Sequence, residues 1–158
     1  DIKKGLLNFT GVQRRFNKIF TYNEIDFYDD YAHHPTEIKV VLEGVNKVYK
    51  DYDKVCIFQP HRISRLKDLR KEFSFAFSNA DTVVLCPIYT AGEKIKLGFS
   101  YFNFAKEIIK NSKVKLFLVN DSKQLAMFIK KNMYGKKIVI GMGAGSISNW
   151  MTKIPQLM

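Results

Sequence analysis

The stretch Phe27-Tyr28-Asp29-Asp30-Tyr31-Ala32-His33-His34-Pro35-Thr36-Glu37 brings carboxylates, imidazoles and phenols within a few residues of each other. Imidazoles exchange protons near neutrality, and carboxylates accept hydrogen bonds from amines and hydroxyls. The elements that must position these groups can be read on either side. Ile25 to Tyr28 reads as a short strand. Pro35 opens a helix, because its fixed φ and missing N–H suit the first helical position. Glu37 falls in the first turn, where its charge meets the positive end of the helix dipole. Asp29 to His34 then form the loop between strand and helix. Loops at the carboxyl ends of strands in open α/β sheets are where ligands bind; the plainer reading is a polar turn with capping groups.

A second constellation is Gln59-Pro60-His61-Arg62-Ile63-Ser64-Arg65, after the apolar run Val55 to Phe58. Arginine offers parallel N–H groups that match a carboxylate, so Arg65 at a helix start reads as one arm of a clamp for a small carboxylate. The alternative is an ordinary pair of helix-start cations, which the dipole disfavours. Two more loops complete the set, Tyr89 to Glu93 and Gly141 to Ser146. Glu93 has little to support it as a general base, and its loop reads as packing on the rim. The glycine run lacks the βαβ unit and downstream acid of a dinucleotide site, so it reads as a tight strand-to-helix turn. A GxxxxGK[ST] phosphate loop is absent from the sequence. His33 and His34 are adjacent and make a poor metal pair without further ligands.

The remaining pattern supplies the scaffold. Arg14 to Thr21 and Glu24 to Tyr28 are extended runs joined around Tyr22-Asn23, a hairpin. Helices are expected over Pro35 to about Asp51 (Ile38, Val41, Leu42, Val45, Val48 and Tyr49 inward), from a Ser64 cap to about Asn79, over Phe99 to Asn111 (Phe102, Ala105, Ile108 and Ile109 inward) and over Ser122 to Asn132, with a short closing helix from Ser146. Strands are expected at Val55 to Phe58, Thr82 to Cys86, Val114 to Val119 and Lys137 to Ile140, the first two apolar enough for burial in a parallel sheet. This rhythm predicts an α/β fold: a mostly parallel six-stranded sheet, Rossmann-like, with helices on both faces and one antiparallel edge strand or hairpin. All four polar loops follow strands, so they should line one rim.

The chain has 158 residues, the size of one domain, and is 46% hydrophobic. No apolar run reaches the length of a membrane span, and a cytoplasmic location is the expectation. Cys56 and Cys86 read as buried core residues. The formal charge is +11. Lysines are scattered along the chain, whereas all five arginines (Arg14, Arg15, Arg62, Arg65 and Arg70) lie before position 71. The lysines therefore read as a solvated surface and the first four arginines as the site-forming charge.

The residues Asp29 to Glu37 also carry a resemblance. With Phe9-Thr10-Gly11-Val12-Gln13-Arg14-Arg15-Phe16, Phe58 to Arg65, Ile88 to Glu93 and Gly143 to Ile147, taken in order, they resemble the C-terminal domain of the Mur ligases, of the branch that adds L-alanine to UDP-N-acetylmuramate. The resemblance implies residues 1–11 as the tail of a preceding domain, consistent with a start without Met, and 12–158 as the amino-acid-binding domain. It implies Arg65 on the L-alanine carboxylate, with Tyr31, His33 and His61 shaping the pocket. It implies Arg14, Arg15 and Asp30 on the ATP; since neighbours in a strand face opposite ways, only one of the two arginines should reach it. ATP and Mg²⁺ would be bound mainly by the other domains of the same enzyme, and chemistry would proceed through an acyl phosphate. No metal site or catalytic residue is expected in this domain, and the fragment alone should be inactive. The alternatives are the ligase that recycles murein tripeptide, or a non-enzymatic basic α/β binding module.

Charge separates the last alternative. Scattered lysines should give no binding to mixed oligonucleotides near physiological salt, since such contacts weaken steeply as salt rises. A submicromolar complex at that ionic strength, seen by fluorescence anisotropy, would overturn the exclusion of nucleic acid.

Overall fold

The computed structural model describes residues 14–94 and 99–158. The expected helical tail over Asp1 to Asn8, the 1–11 boundary and the end of the Pro87 to Gly98 loop fall outside or partly outside them. Six strands form one sheet: β1 (Asn17–Tyr22), β2 (Ile25–Asp30), β3 (Asp53–Phe58), β4 (Thr82–Leu85), β5 (Lys115–Leu118) and β6 (Lys137–Met142). Their order is β1-β2-β6-β3-β4-β5. Only β1 is antiparallel, and it forms the edge. The α/β expectation with an antiparallel edge hairpin holds.

The hairpin turns on Asn23 and Glu24, with φ of 48° and 62°. Two positive values suit the tight turn that matches strand twist. The turn lies one residue later than expected. β1 begins at Asn17 rather than Arg14, because Arg14 and Phe16 both take positive φ and break the extended run. β2 in turn reaches Asp30, so Asp29 and Asp30 are strand residues, both buried, and only Tyr31 to His34 form the connecting loop.

Helix α1 (Pro35–Val48) starts as expected at Pro35. The His34 ring accepts from Thr36 N–H, and Glu37 accepts from the backbone N–H of His33 and His34. Together these satisfy donors that a helix start leaves open. Ile38, Leu42 and Val45 are buried, but Val48 is exposed. It sits roughly 90° around the helix from their common direction. The expected helix from Ser64 to Asn79 is two short ones, α2 (Ile63–Asp68) and α3 (Arg70–Phe75), parted at Leu69 with φ −110° and ψ 21°. Ser64 is not the cap; Arg62 precedes α2 with φ 69° and no side-chain cap bond.

The remaining helices are α4 (Tyr101–Ser112), α5 (Ser122–Asn132) and α6 (Ile147–Leu157). In α4 the buried residues are Phe104, Ala105, Ile108 and Ser112. Phe102 and Ile109, expected inward, are 60% and 44% exposed, each roughly 90–100° off the buried arc.

Each central strand alternates between two cores. Cys56 and Phe58 face α1 to α4, with Leu42, Leu66, Phe73, Phe77 and Phe104. Val55 and Ile57 face α5 and α6, with Leu125, Ile129, Met151 and Ile154. Both cysteines are buried and unpaired. No helix among the described residues is long and apolar enough to cross a membrane.

Phe58 is fully buried and its ring meets Phe73 and Phe77 at 5.7 and 5.2 Å. Phe58→Ala should cost about 3–5 kcal/mol in urea unfolding, whereas Phe102→Ala should stay within about 0.5 kcal/mol.

Candidate functional site

The four polar loops meet at one rim. The helices that follow β2 and β3 lie on one face of the sheet, while α6, following β6, lies on the other. Chains leaving neighbouring strands in opposite directions open a crevice at their carboxyl ends.

A row of rings crosses this crevice. Tyr31 meets His33 edge-on with centroids 4.9 Å apart. His33 meets His61 at 6.0 Å, and His61 stacks on Tyr89 at 5.5 Å with planes 16° apart. Backbone bonds fix the last pair: Arg62 N–H donates to Tyr89 O and Tyr89 N–H to Pro60 O, both at 2.8 Å. Tyr89 is therefore a wall of the crevice. Sequence reading assigned its loop only to rim packing; nothing in the local pattern told that the ring would stack on His61.

The glycine run explains how Tyr89 fits. A Cβ on Gly145 would lie 2.5 Å from Tyr89 Cγ, and one on Gly143, whose φ is +148°, would lie 2.7 Å from Gln59 O. Gln59 is buried and accepts from Ile147 N–H at 3.0 Å, closing the start of α6. The run is thus the tight strand-to-helix turn expected, shaped by close neighbours.

Arg65 stands at the edge of the row. Its Nη1 lies 3.4 Å from His61 Nδ1. Among the described residues no carboxylate is within 4 Å of it, whereas Arg70 is bound in two-pronged fashion by Glu107 at 2.7 Å on both arms. Burial first, then the Arg65 charge, pushes the His61 pKa below its ordinary value. A neutral His61 accepts from Arg65 at Nδ1. His33 Nδ1 lies 2.9 Å from Tyr31 O. When that nitrogen donates to the carbonyl, Nε2 is left as an acceptor.

The residues expected on the nucleotide separate. Arg14 is drawn inward: Nη2 donates to Gly143 O, Nε lies 3.5 Å from the buried Asp29, and the guanidinium covers the Tyr31 ring at 4.9 Å. Asp29 also accepts from Ser148 Oγ at 2.6 Å. Arg14 therefore ties three rim segments together. Asp30 accepts from Phe16 N–H and Ala32 N–H, each at 2.8 Å, and burial raises its pKa. Arg15 is exposed and borders a pocket of about 420 Å³ with Phe16, Asp30, Tyr31, Thr36, Glu37 and Val41. Neither arginine lies on a strand, so strand alternation does not decide between them; the inward pull on Arg14 does. No group of three or more His, Cys, Asp or Glu that could hold a metal ion occurs among the described residues.

His61 yields a pH prediction. Its folded pKa lies below the unfolded one, so below the unfolded value the unfolded state binds more protons. Its contribution to stability is complete above the ordinary His range and is lost as pH falls. With ¹³Cε1-labelled histidine, one resonance should titrate below the ordinary value, and Arg65→Ala should raise that midpoint without restoring it, since burial is the larger cause. A His61 midpoint at or above the ordinary value would contradict the packing described.

Comparison with known proteins agrees with this architecture. Residues 14–145 match the family described as Mur ligase, glutamate ligase domain. The chain is 70% identical over 156 residues to the UDP-N-acetylmuramate–L-alanine ligase of Pelagibacter ubique (strain HTCC1062), covering 99% of this chain and 34% of that one. The crystal structure of the UDP-N-acetylmuramate–alanine ligase of Thermotoga maritima matches with a TM-score of 0.73 at 27% identity, over 97% of this chain and 31% of that one. A murein peptide ligase of Psychrobacter arcticus shares the fold, with a TM-score of 0.73 at 19% identity over 98% of this chain and 32% of that one. This chain spans about a third of the length of the curated relatives it matches. By the match over most of its length, the chain belongs to the Mur ligase family, within the glutamate ligase domain.

Proposed function

We propose that this chain is the amino-acid-binding domain of an ATP-dependent ligase that joins L-alanine to UDP-N-acetylmuramate, with the other domains of the same enzyme as its partners. The observation that carries the reading is Arg65: a guanidinium without an acidic partner among the described residues, beside a neutral imidazole, at the mouth of a ring-walled crevice. Identity of 70% to an L-alanine ligase supports this branch over the tripeptide-recycling one.

In this reading Arg65 grips the L-alanine carboxylate through the donors that His61 leaves free. His33, with Nδ1 turned to the Tyr31 carbonyl, presents Nε2 to the amine and holds it for attack. Tyr31, His61 and Tyr89 close a small space around the methyl group. Arg15, with Asp30 at the back of its pocket, meets the nucleotide from outside; the apolar walls of that pocket suit a nucleoside. When bound, ATP supplies the phosphoryl group that activates the acceptor carboxylate. Mg²⁺ would be held by the domain that carries the phosphates. A domain of this kind accelerates reaction by orientation and by excluding water. A cytoplasmic site of action is part of the same proposal.

In the full-length ligase, Arg65→Lys should raise the KM for L-alanine roughly ten- to a hundredfold and leave that for ATP unchanged. Lysine keeps the charge and loses the two-pronged geometry. An unchanged alanine KM with a raised ATP KM assigns Arg65 to the nucleotide instead.

A further inference from the structure

The loop after β4 carries one more contact. The Glu93 carboxylate accepts from Ser64 N–H at 3.0 Å and from Ser64 Oγ at 2.5 Å. Ser64 is in the first turn of α2. That helix begins without a side-chain cap, has no acidic residue in its first turn, and follows Arg62 in a left-handed backbone conformation. Open N–H groups and nearby cations are both unfavourable at a helix start. Glu93 satisfies one of those N–H groups and opposes the cations, from 29 residues away in sequence. Those bonds from Ser64, side chain first and then backbone, hold its pKa below the ordinary carboxylate value.

Arg65 is the next residue after Ser64. Its side chain leaves the same turn and reaches His61. Any rotation of that turn swings the guanidinium relative to the crevice. The loop is already joined to the β3 exit by the two backbone bonds at Tyr89. The Glu93 clasp extends that join from β3 to the helix.

We propose that Glu93 is a positioning residue for amino-acid binding: through Ser64 it fixes the first turn of α2 and so the direction of Arg65. The proposal rests on the reading of Arg65 given above. It assigns Glu93 no proton transfer and no contact with substrate.

The test uses the full-length ligase with Glu93→Ala and Glu93→Gln, alone and with Arg65→Lys. Loss of a helix-start acceptor is expected to raise the L-alanine KM about fivefold to tenfold in Glu93→Ala, with kcat and the ATP KM within about twofold. Glu93→Gln keeps one acceptor oxygen and should show a smaller rise. In the Arg65→Lys background, Glu93→Ala should add less than about twofold, because the geometry it maintains is already lost. A full, independent effect in that background overturns the proposal. So does a parallel loss of kcat and both KM values with a lowered Tm, which marks a merely structural role. The His61 resonance separates this failure from that of the functional reading. Glu93→Ala removes a charge that itself raises the His61 pKa, but the Arg65 charge weighs more on that ring, so the midpoint should still rise as Arg65 moves off Nδ1, whatever ligand the crevice takes. If that midpoint rises while Arg65→Lys leaves the alanine KM unchanged, the alanine reading falls and the positioning of Arg65 stands. If it stays or falls, as loss of the Glu93 charge alone would give, the positioning falls.

Discussion

The rim depends on one constraint: β6, the last strand in the chain, must lie between β2 and β3. Parallel pairing on both sides, Asp30 with Met142 and Phe58 with Met142, brings the exits of all three strands to one level. The turn after β6 then has to pass between Gln59 and Tyr89 without a side chain to spare, which Gly143 and Gly145 permit. Arg14 closes the assembly through Gly143, 129 residues away in sequence, and through Asp29. The rim's contacts therefore join distant parts of the chain, and closing such loops has an entropic cost.

This placement sorts the polar groups into two populations. Asp29, Asp30 and Gln59 are buried; both Asp30 oxygens, the Gln59 oxygen and one Asp29 oxygen accept from the chain's own N–H and O–H groups. They maintain the shape of the rim. Tyr31, Tyr89 and Arg15 are exposed, and Arg65 is half-buried without an acid beside it among the described residues. A buried group held by the chain gains less from a ligand than a positioned donor still facing solvent, which can gain a charge-assisted bond. The distinction separates adjacent Arg14 and Arg15, alike in sequence but unlike in surroundings.

Much of the fold was legible in the sequence, and the reasons are specific. The runs at Val55 to Phe58 and Thr82 to Cys86 were readable because burial on both faces removes every polar residue. Pro35 and Glu37 announced α1 through purely local chemistry. What local pattern missed was decided elsewhere. Ser64 looks like a cap, yet the capping carboxylate comes from Glu93. Arg14 and Phe16 break the first strand with positive φ at residues that give no glycine signal. Phe102 and Phe104 are equally apolar, and only the phase of α4 against its neighbours chooses between them. Tyr31, His33, His61 and Arg65 do lie side by side at one rim, because each follows a strand on the same edge. That Tyr89 belongs in their row required the structure.

The neutrality of His61 and the availability of Arg65 are the same physical fact seen from two sides. Burial and the adjacent guanidinium both disfavour an imidazolium. The neutral ring then offers Nδ1 to one arm of Arg65, which orients the guanidinium without neutralising it. A carboxylate in place of His61 would have paired with Arg65 and removed its charge from any incoming anion; an imidazolium would have driven it away. Only a neutral acceptor holds an arginine in direction while leaving its charge for a ligand. That requirement ties the packing of the ring row, set by Tyr89 and Gly145, to the electrostatics of the crevice.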